Sequence, residues 1–122
     1  MKHAINWFQI PAVDFERAVK FYNTVLEADM YKMPMGGSLM GFFPCDQGSV
    51  GGAVVFEEGC RPSAEGTMVF LNAGEDLGPA LSRVEPAGGK VVAPKTLITE
   101  EIGYFAIFTD TEGNTVAFHS MK

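Results

Sequence analysis

Apolar residues along this chain follow two rhythms, and the switch from one to the other happens twice. Ile5–Ile10 (INWFQI) alternates loosely and then meets Pro11, the pattern of a strand leaving for a turn. From Asp14 the spacing becomes helical. Phe15, Ala18, Val19, Tyr22, Val25 and Leu26 fall on one stripe, with Arg17, Lys20 and Asn23 opposite. Asp14 is a suitable N-cap, Glu16 suits the positive end of the helix dipole, and Glu16 and Lys20 are spaced for an i,i+4 ion pair. Short strand-like runs follow around Met30–Met33, Leu39–Phe43 and Ala53–Phe56, punctuated by Gly and Pro. The stretch EEGCRPSAEG from Glu57 to Gly66 then breaks all periodicity.

The second half repeats the first. Thr67–Ala73 reads as a strand, and Asp76 is placed to cap a helix whose Leu77, Ala80, Leu81 and Val84 repeat the spacing of Phe15, Ala18, Val19 and Tyr22. Pro79 is tolerated in a first turn, and Ala87–Gly89 (AGG) ends the helix. Strands are predicted at Lys90–Ala93, Tyr104–Thr109 and Thr115–Ser120. Strand, helix and three strands therefore occur twice. The fold class is α+β: two βαβββ modules, about residues 3–57 and 67–121 around a linker at 58–66, with curved mixed sheets about a concave cleft and helices outside.

Composition narrows the function. With 122 residues and a formal charge of −6, the chain has room for a core and a surface that repels nucleic acid phosphates. Its apolar runs are too short to span a membrane, and MKHAINWFQIP lacks the hydrophobic run of a secretory signal. Cys45 and Cys60 are far apart and in no metal spacing. The expectation is a cytoplasmic protein with reduced cysteines, no nucleic-acid partner and no membrane partner.

PAVDFERAVKFYNTVLEADMY, from Pro11 to Tyr31, resembles the first module of the vicinal oxygen chelate superfamily, which includes glyoxalases, bleomycin resistance proteins, fosfomycin resistance enzymes and extradiol dioxygenases. VEPAGGKVVAP resembles the end of that family's second helix, and FTDTEGNTVAFHS its terminal hairpin. The likeness runs through the whole chain, implying one glyoxalase/bleomycin-resistance-like domain over 1–122. Members hold a divalent metal on the concave face, with ligands from the first and fourth strands of each module, usually His and Glu. The resemblance carries these positions onto Trp7, onto Val69 or Met68, onto Gly52 or Ala53, and onto Ala117. None supplies a suitable donor. The cleft is therefore expected to be built without a metal or other cofactor.

What remains is an apolar cleft with a few polar groups. Trp7 and Gln9 share one face of the first strand, as Ala117 and His119 share one face of the last. Trp7 offers a stacking wall or simply fills volume. His119 is the one catalytic candidate, an acid or base near neutral pH, or else a packed histidine without a task. Tyr104, after TEEIG, is placed to bring a hydroxyl to the mouth, and Gly52 to mark a bend or close approach. Ala117→Trp is expected to fill the cavity without disturbing the fold. Three functions fit: a metal-free small-molecule binder of the sequestering kind; a metal-independent enzyme using His119; or a metal-dependent lyase, isomerase or dioxygenase with unusual ligands. The family resemblance also implies a homodimer.

Overall fold

The computed structural model describes residues 2–122. The elements run β1 (Trp7–Pro11), α1 (Phe15–Leu26), β2 (Tyr31–Met35), β3 (Ser38–Phe42), β4 (Gly51–Phe56), β5 (Phe70–Asn72), α2 (Gly78–Ser82), β6 (Lys90–Thr99), β7 (Gly103–Thr109) and β8 (Thr115–Ser120). They form two four-stranded sheets, ordered β1-β4-β3-β2 and β5-β8-β7-β6. In each sheet the first strand pairs parallel with the fourth and the other neighbours are antiparallel. Both sheets are thus mixed, as the repeat predicts.

The stripe on α1 explains its depth. Phe15, Ala18, Val19, Tyr22 and Val25 are all buried, and they join Ile10, Val54, Leu77, Val84, Phe108 and Phe118 in one cluster that crosses both modules. Gly41 allows α1 to approach, since a Cβ there would lie 2.9 Å from Val19 Cγ2. The helix starts where Asp14 Oδ1 accepts from the Arg17 N–H and stops at Glu27, whose left-handed φ of 50° closes the last turn. Glu16 pairs with Lys32 at 3.0 Å instead of Lys20, because β2 runs back alongside the helix.

Two elements differ from the expectation. The second helix is only Gly78–Ser82, and its N-cap is Leu77. Asp76 instead accepts from the Gly78 N–H and from Lys95 Nζ. Pro86 has no N–H to give Ser82 O and disfavours helical backbone at Glu85, so beyond Ser82 the chain continues as turns closed by bonds such as Val84 N–H to Leu81 O. Conversely, β6 runs well past Ala93 to Thr99, with register shifts between Val91 and Ala93, Ala93 and Thr96, and Leu97 and Thr99. Pro94 cannot donate to the ladder, and the bulges carry the strand across it.

The Thr-Glu-Gly-Asn turn before β8 does more than reverse the chain. Buried Asp110 accepts from Tyr22 Oη at 2.6 Å, from the Glu112 and Asn114 N–H groups, and from Asn114 Nδ2. Asn114 Nδ2 also donates to Pro11 O at 2.7 Å. Glu112 accepts from the Val13 and Asp14 N–H groups and from Arg17 Nε. A turn of the second module thus closes the N-terminus of the first module's helix.

Candidate functional site

A groove of about 1220 Å³ lies between the two modules. One wall is β1 and the start of β4 with the preceding loop, including Trp7, Gly51, Gly52, Cys45 and Asp46; the other is the segment Thr67–Gly74 with α2, including Met68, Phe70, Asn72 and Arg83. The C-terminal end of α1, Leu26–Ala28, closes the base. β1 and β5 are each the edge strand of their sheet, and no backbone hydrogen bond joins them among the described residues.

Side-chain alternation decides what faces outward. Ile10 and Leu71 are core residues, so Trp7 and Gln9 on β1, and Phe70 and Asn72 on β5, lie on the opposite, open faces. Trp7 pairs with Gly51, and Phe70 pairs with Ala117. The β5 residue beside Ala117 on the open face is therefore Phe70, not Val69 or Met68. Phe70 has a ring and no donor.

Of the six residues singled out from the sequence, Trp7 and Gly52 line the groove. Gly52 faces the helix side, under Phe8, whose ring would meet any Cβ there at 2.3 Å. Gln9 shares the open face with Trp7 but is not part of the groove wall. Ala117 and His119 share a face of β8, but Ala117 has no exposed surface. It is enclosed between Phe70 and Ile107, its partners on the neighbouring strands, so a Trp there has no cavity to fill. His119 Nε2 is bonded to Ile102 O in the loop before β7. Tyr104 is on the other side of the sheet, opposite Ser120, packed against the core with Lys95 Nζ 4.7 Å from its ring centre. The idea of a Tyr104 hydroxyl at the mouth is thereby corrected: strand alternation turns it to the core face.

Phe70, Gly51, Glu27, Asp46 and Arg83 carry no signal of their own in the sequence, and the structure brings them to the groove, together with Met68. Local pattern could have suggested only Phe70, had the register of β5 been known. Arg83 donates to Val25 O at 2.8 Å and lies 3.7 Å from Glu27, so its charge is largely engaged at the base.

A metal does not fit this arrangement. The open-face residues of the first and fourth strands are Trp7, Gln9, Gly51, Ala53, Val55, Phe70, Asn72, Thr115, Ala117 and His119. Only His119 is a customary ligand, and its Nε2 is engaged by Ile102. Among the described residues no three His, Cys, Asp or Glu side chains gather as a metal would require.

A family model described as the Glyoxalase/Bleomycin resistance protein/Dioxygenase superfamily matches residues 4–118. The chain belongs to this superfamily. It is 29% identical over 118 residues to a glyoxylase-like domain-containing protein from Didymella fabae, covering 93% of this chain and 90% of that one. A glyoxylase/bleomycin resistance protein/dioxygenase domain from Frankia sp. EAN1pec superimposes with a TM-score of 0.72 at 11% identity, covering 100% of both chains. An antibiotic binding protein from Streptomyces sp. CB03234 does so at 0.65 and 19%, covering 98% of this chain and 96% of that one. At such identities these structures establish the glyoxalase fold, and function has to be argued from the site.

Proposed function

We propose that this member of the superfamily is a metal-independent small-molecule-binding protein that holds, and so sequesters, its ligand in the groove between β1 and β5. One observation carries the reading: the open faces of the first and fourth strands present Trp7, Ala53, Phe70 and Ala117, none of which can ligate a metal, beside a groove large enough for a drug-sized molecule. Fold similarity to an antibiotic binding protein is in keeping with it. Catalysis by His119 is the weaker alternative. Its bond to Ile102 O ties the ring to a loop, and it does not line the groove.

Assembly as a homodimer completes the proposal. Tyr31, Met33 and Met35 on β2 form, with Phe42, an apolar open face that a second copy would cover. Cys45 and Cys60, which form no disulfide, suit the reducing cytoplasm where we place the protein. Among the described residues no helix is long and apolar enough to cross a membrane.

The test combines elemental analysis of gently purified protein with a thermal-shift screen of small aromatic and aliphatic compounds. We expect no stoichiometric divalent ion and at least one stabilising compound whose effect is lost when Gly51→Phe fills the groove. One zinc, nickel, iron or manganese per chain, or stabilisation indifferent to Gly51→Phe, overturns the reading.

A further inference from the structure

We propose that the groove takes a planar, cationic aromatic molecule with amino groups on its rim, one ring face on Trp7 and the other on Phe70. This rests on reading the groove as a ligand site and adds the chemical class of the ligand.

The first argument is about unspent ring surface. Trp7 and Phe70 stand on the two edge strands that wall the groove, and they are 44% and 52% exposed. Phe42 meets Trp7 in a T-shaped contact, with centroids 5.9 Å apart and planes at 61°, and 44% of the Trp7 surface is still exposed. Among the described residues Phe70 has no aromatic partner at all. Large aromatic faces left half in water on opposite walls of one groove are arranged for a flat guest. Gly51 keeps the wall low beside the indole, for a Cβ there would meet Trp7 Cζ3 at 3.5 Å and Cys45 Sγ at 3.0 Å.

The second argument is charge. The groove carries two carboxylates, Glu27 and Asp46, against one cation, Arg83, already engaged with Glu27 and Val25 O. Asp46 has no cationic partner among the described residues, and the chain as a whole carries −6. Aromatic faces attract cations as well, so both the walls and the carboxylates favour a positive guest.

The third argument concerns the strand edges. The Ala12 N–H bonds to Val55 O, which directs the backbone groups of alternate residues Phe8 and Ile10 toward β4. Those of Trp7 and Gln9 therefore point away from β4, as does Pro11 O, which Asn114 Nδ2 takes. Likewise the Ala117 N–H bonds to Val69 O, leaving the groups of Phe70 and Asn72 on the free edge of β5. Free carbonyls beside a stacking slot accept hydrogen bonds from amino groups on the rim of a flat guest.

Trp7 is the only tryptophan, so its emission reports directly on the slot. The probes are proflavine (a planar diamino cation), 1-adamantylammonium (a bulky, non-planar cation) and naphthalene-1,5-disulfonate (a planar anion). Proflavine is expected to quench Trp7 saturably and to bind about tenfold more tightly than either control. Phe70→Ala and Phe70→Leu should each weaken it by about tenfold, Leu keeping bulk but removing the ring. Asp46→Asn should weaken it severalfold at low salt. Circular dichroism verifies the fold of each variant. The proposal is overturned if proflavine does not quench up to millimolar concentration, if 1-adamantylammonium binds as tightly, or if Phe70→Leu binds as wild type. In the last two cases a ligand displaced by Gly51→Phe leaves the groove as a binding site and removes only the planar stack.

Discussion

Glu112 accepts a hydrogen bond of 2.7 Å from the Asp14 N–H, 98 residues away, and through it a turn in one module finishes the helix of the other. The same carboxylate takes the Val13 N–H and Arg17 Nε, each at 2.8 Å, and its side chain has no exposed surface. A buried carboxylate with three donors from the other module orients two halves of a chain, where an exposed ion pair would contribute little.

Burial alone would raise the Glu112 pKa, but the bonds from Arg17, Asp14 N–H, Thr111 and Val13 N–H outweigh it and hold the group below its ordinary 4.5. A lowered folded-state pKa means the stabilisation is full above about pH 4.5 and is lost as pH falls through the lower folded value. Glu112→Gln should cost roughly 1–3 kcal/mol at pH 7. The gap between wild type and variant should narrow below about pH 4.5, as followed by urea denaturation at stepped pH. A gap that stays constant to pH 3 would contradict this account.

Tyr22 Oη donates to buried Asp110, and burial first, then the Asp110 charge, pushes the phenol well above its usual range. Tyr22→Phe removes one donor from a buried carboxylate that keeps three others. A loss of about 1.5–3 kcal/mol is expected, with little change in ligand binding. Equal stability of the two proteins in urea would show that the bond is not made in solution.

Ala117 has no exposed surface between Phe70 and Ile107. Ala117→Trp should therefore destabilise by about 1–3 kcal/mol or more, because a large ring is forced into a filled layer. Thermal melts measure it directly. An unchanged melting temperature would mean that a cavity opens beside Ala117 after all.

Light scattering at micromolar concentration should show a dimer, since Tyr31 is 67% exposed on an apolar face that one chain leaves uncovered. Met35→Glu, on the same face, should shift the protein toward monomer at unchanged helix content. A wild-type monomer would leave that face for another partner.

Much of the fold was legible because the cues are local. The α1 stripe, the Asp14 cap and the repeat all depend on neighbours within a turn or two. The second helix is shorter than its Leu77–Val84 spacing suggests because Pro86 cannot bond Ser82 O and turns the preceding residues out of helical backbone. The far half of β6 was missed because bulges break the alternation that would reveal it. In the site, Trp7 and Met68 were legible in the sequence, but Phe70 beside Ala117 depends on the register of β5, which one residue shifts. Glu27, Asp46 and Arg83 meet only because two modules pack, and no local pattern announces that.

The clamp and the groove sit at opposite ends of α1, whose 12 residues separate them by about 18 Å. At the clamped end three side chains, Asp110, Glu112 and Asn114, stitch the modules together. At the other end β1 and β5 face each other with no ladder between them. The molecule is therefore built like a clothes-peg, pinned at the Asp14 end and again where Arg83 meets Val25 O, with Trp7 and Phe70 as its lips. A guest placed between them, as proposed, need break no strand pairing.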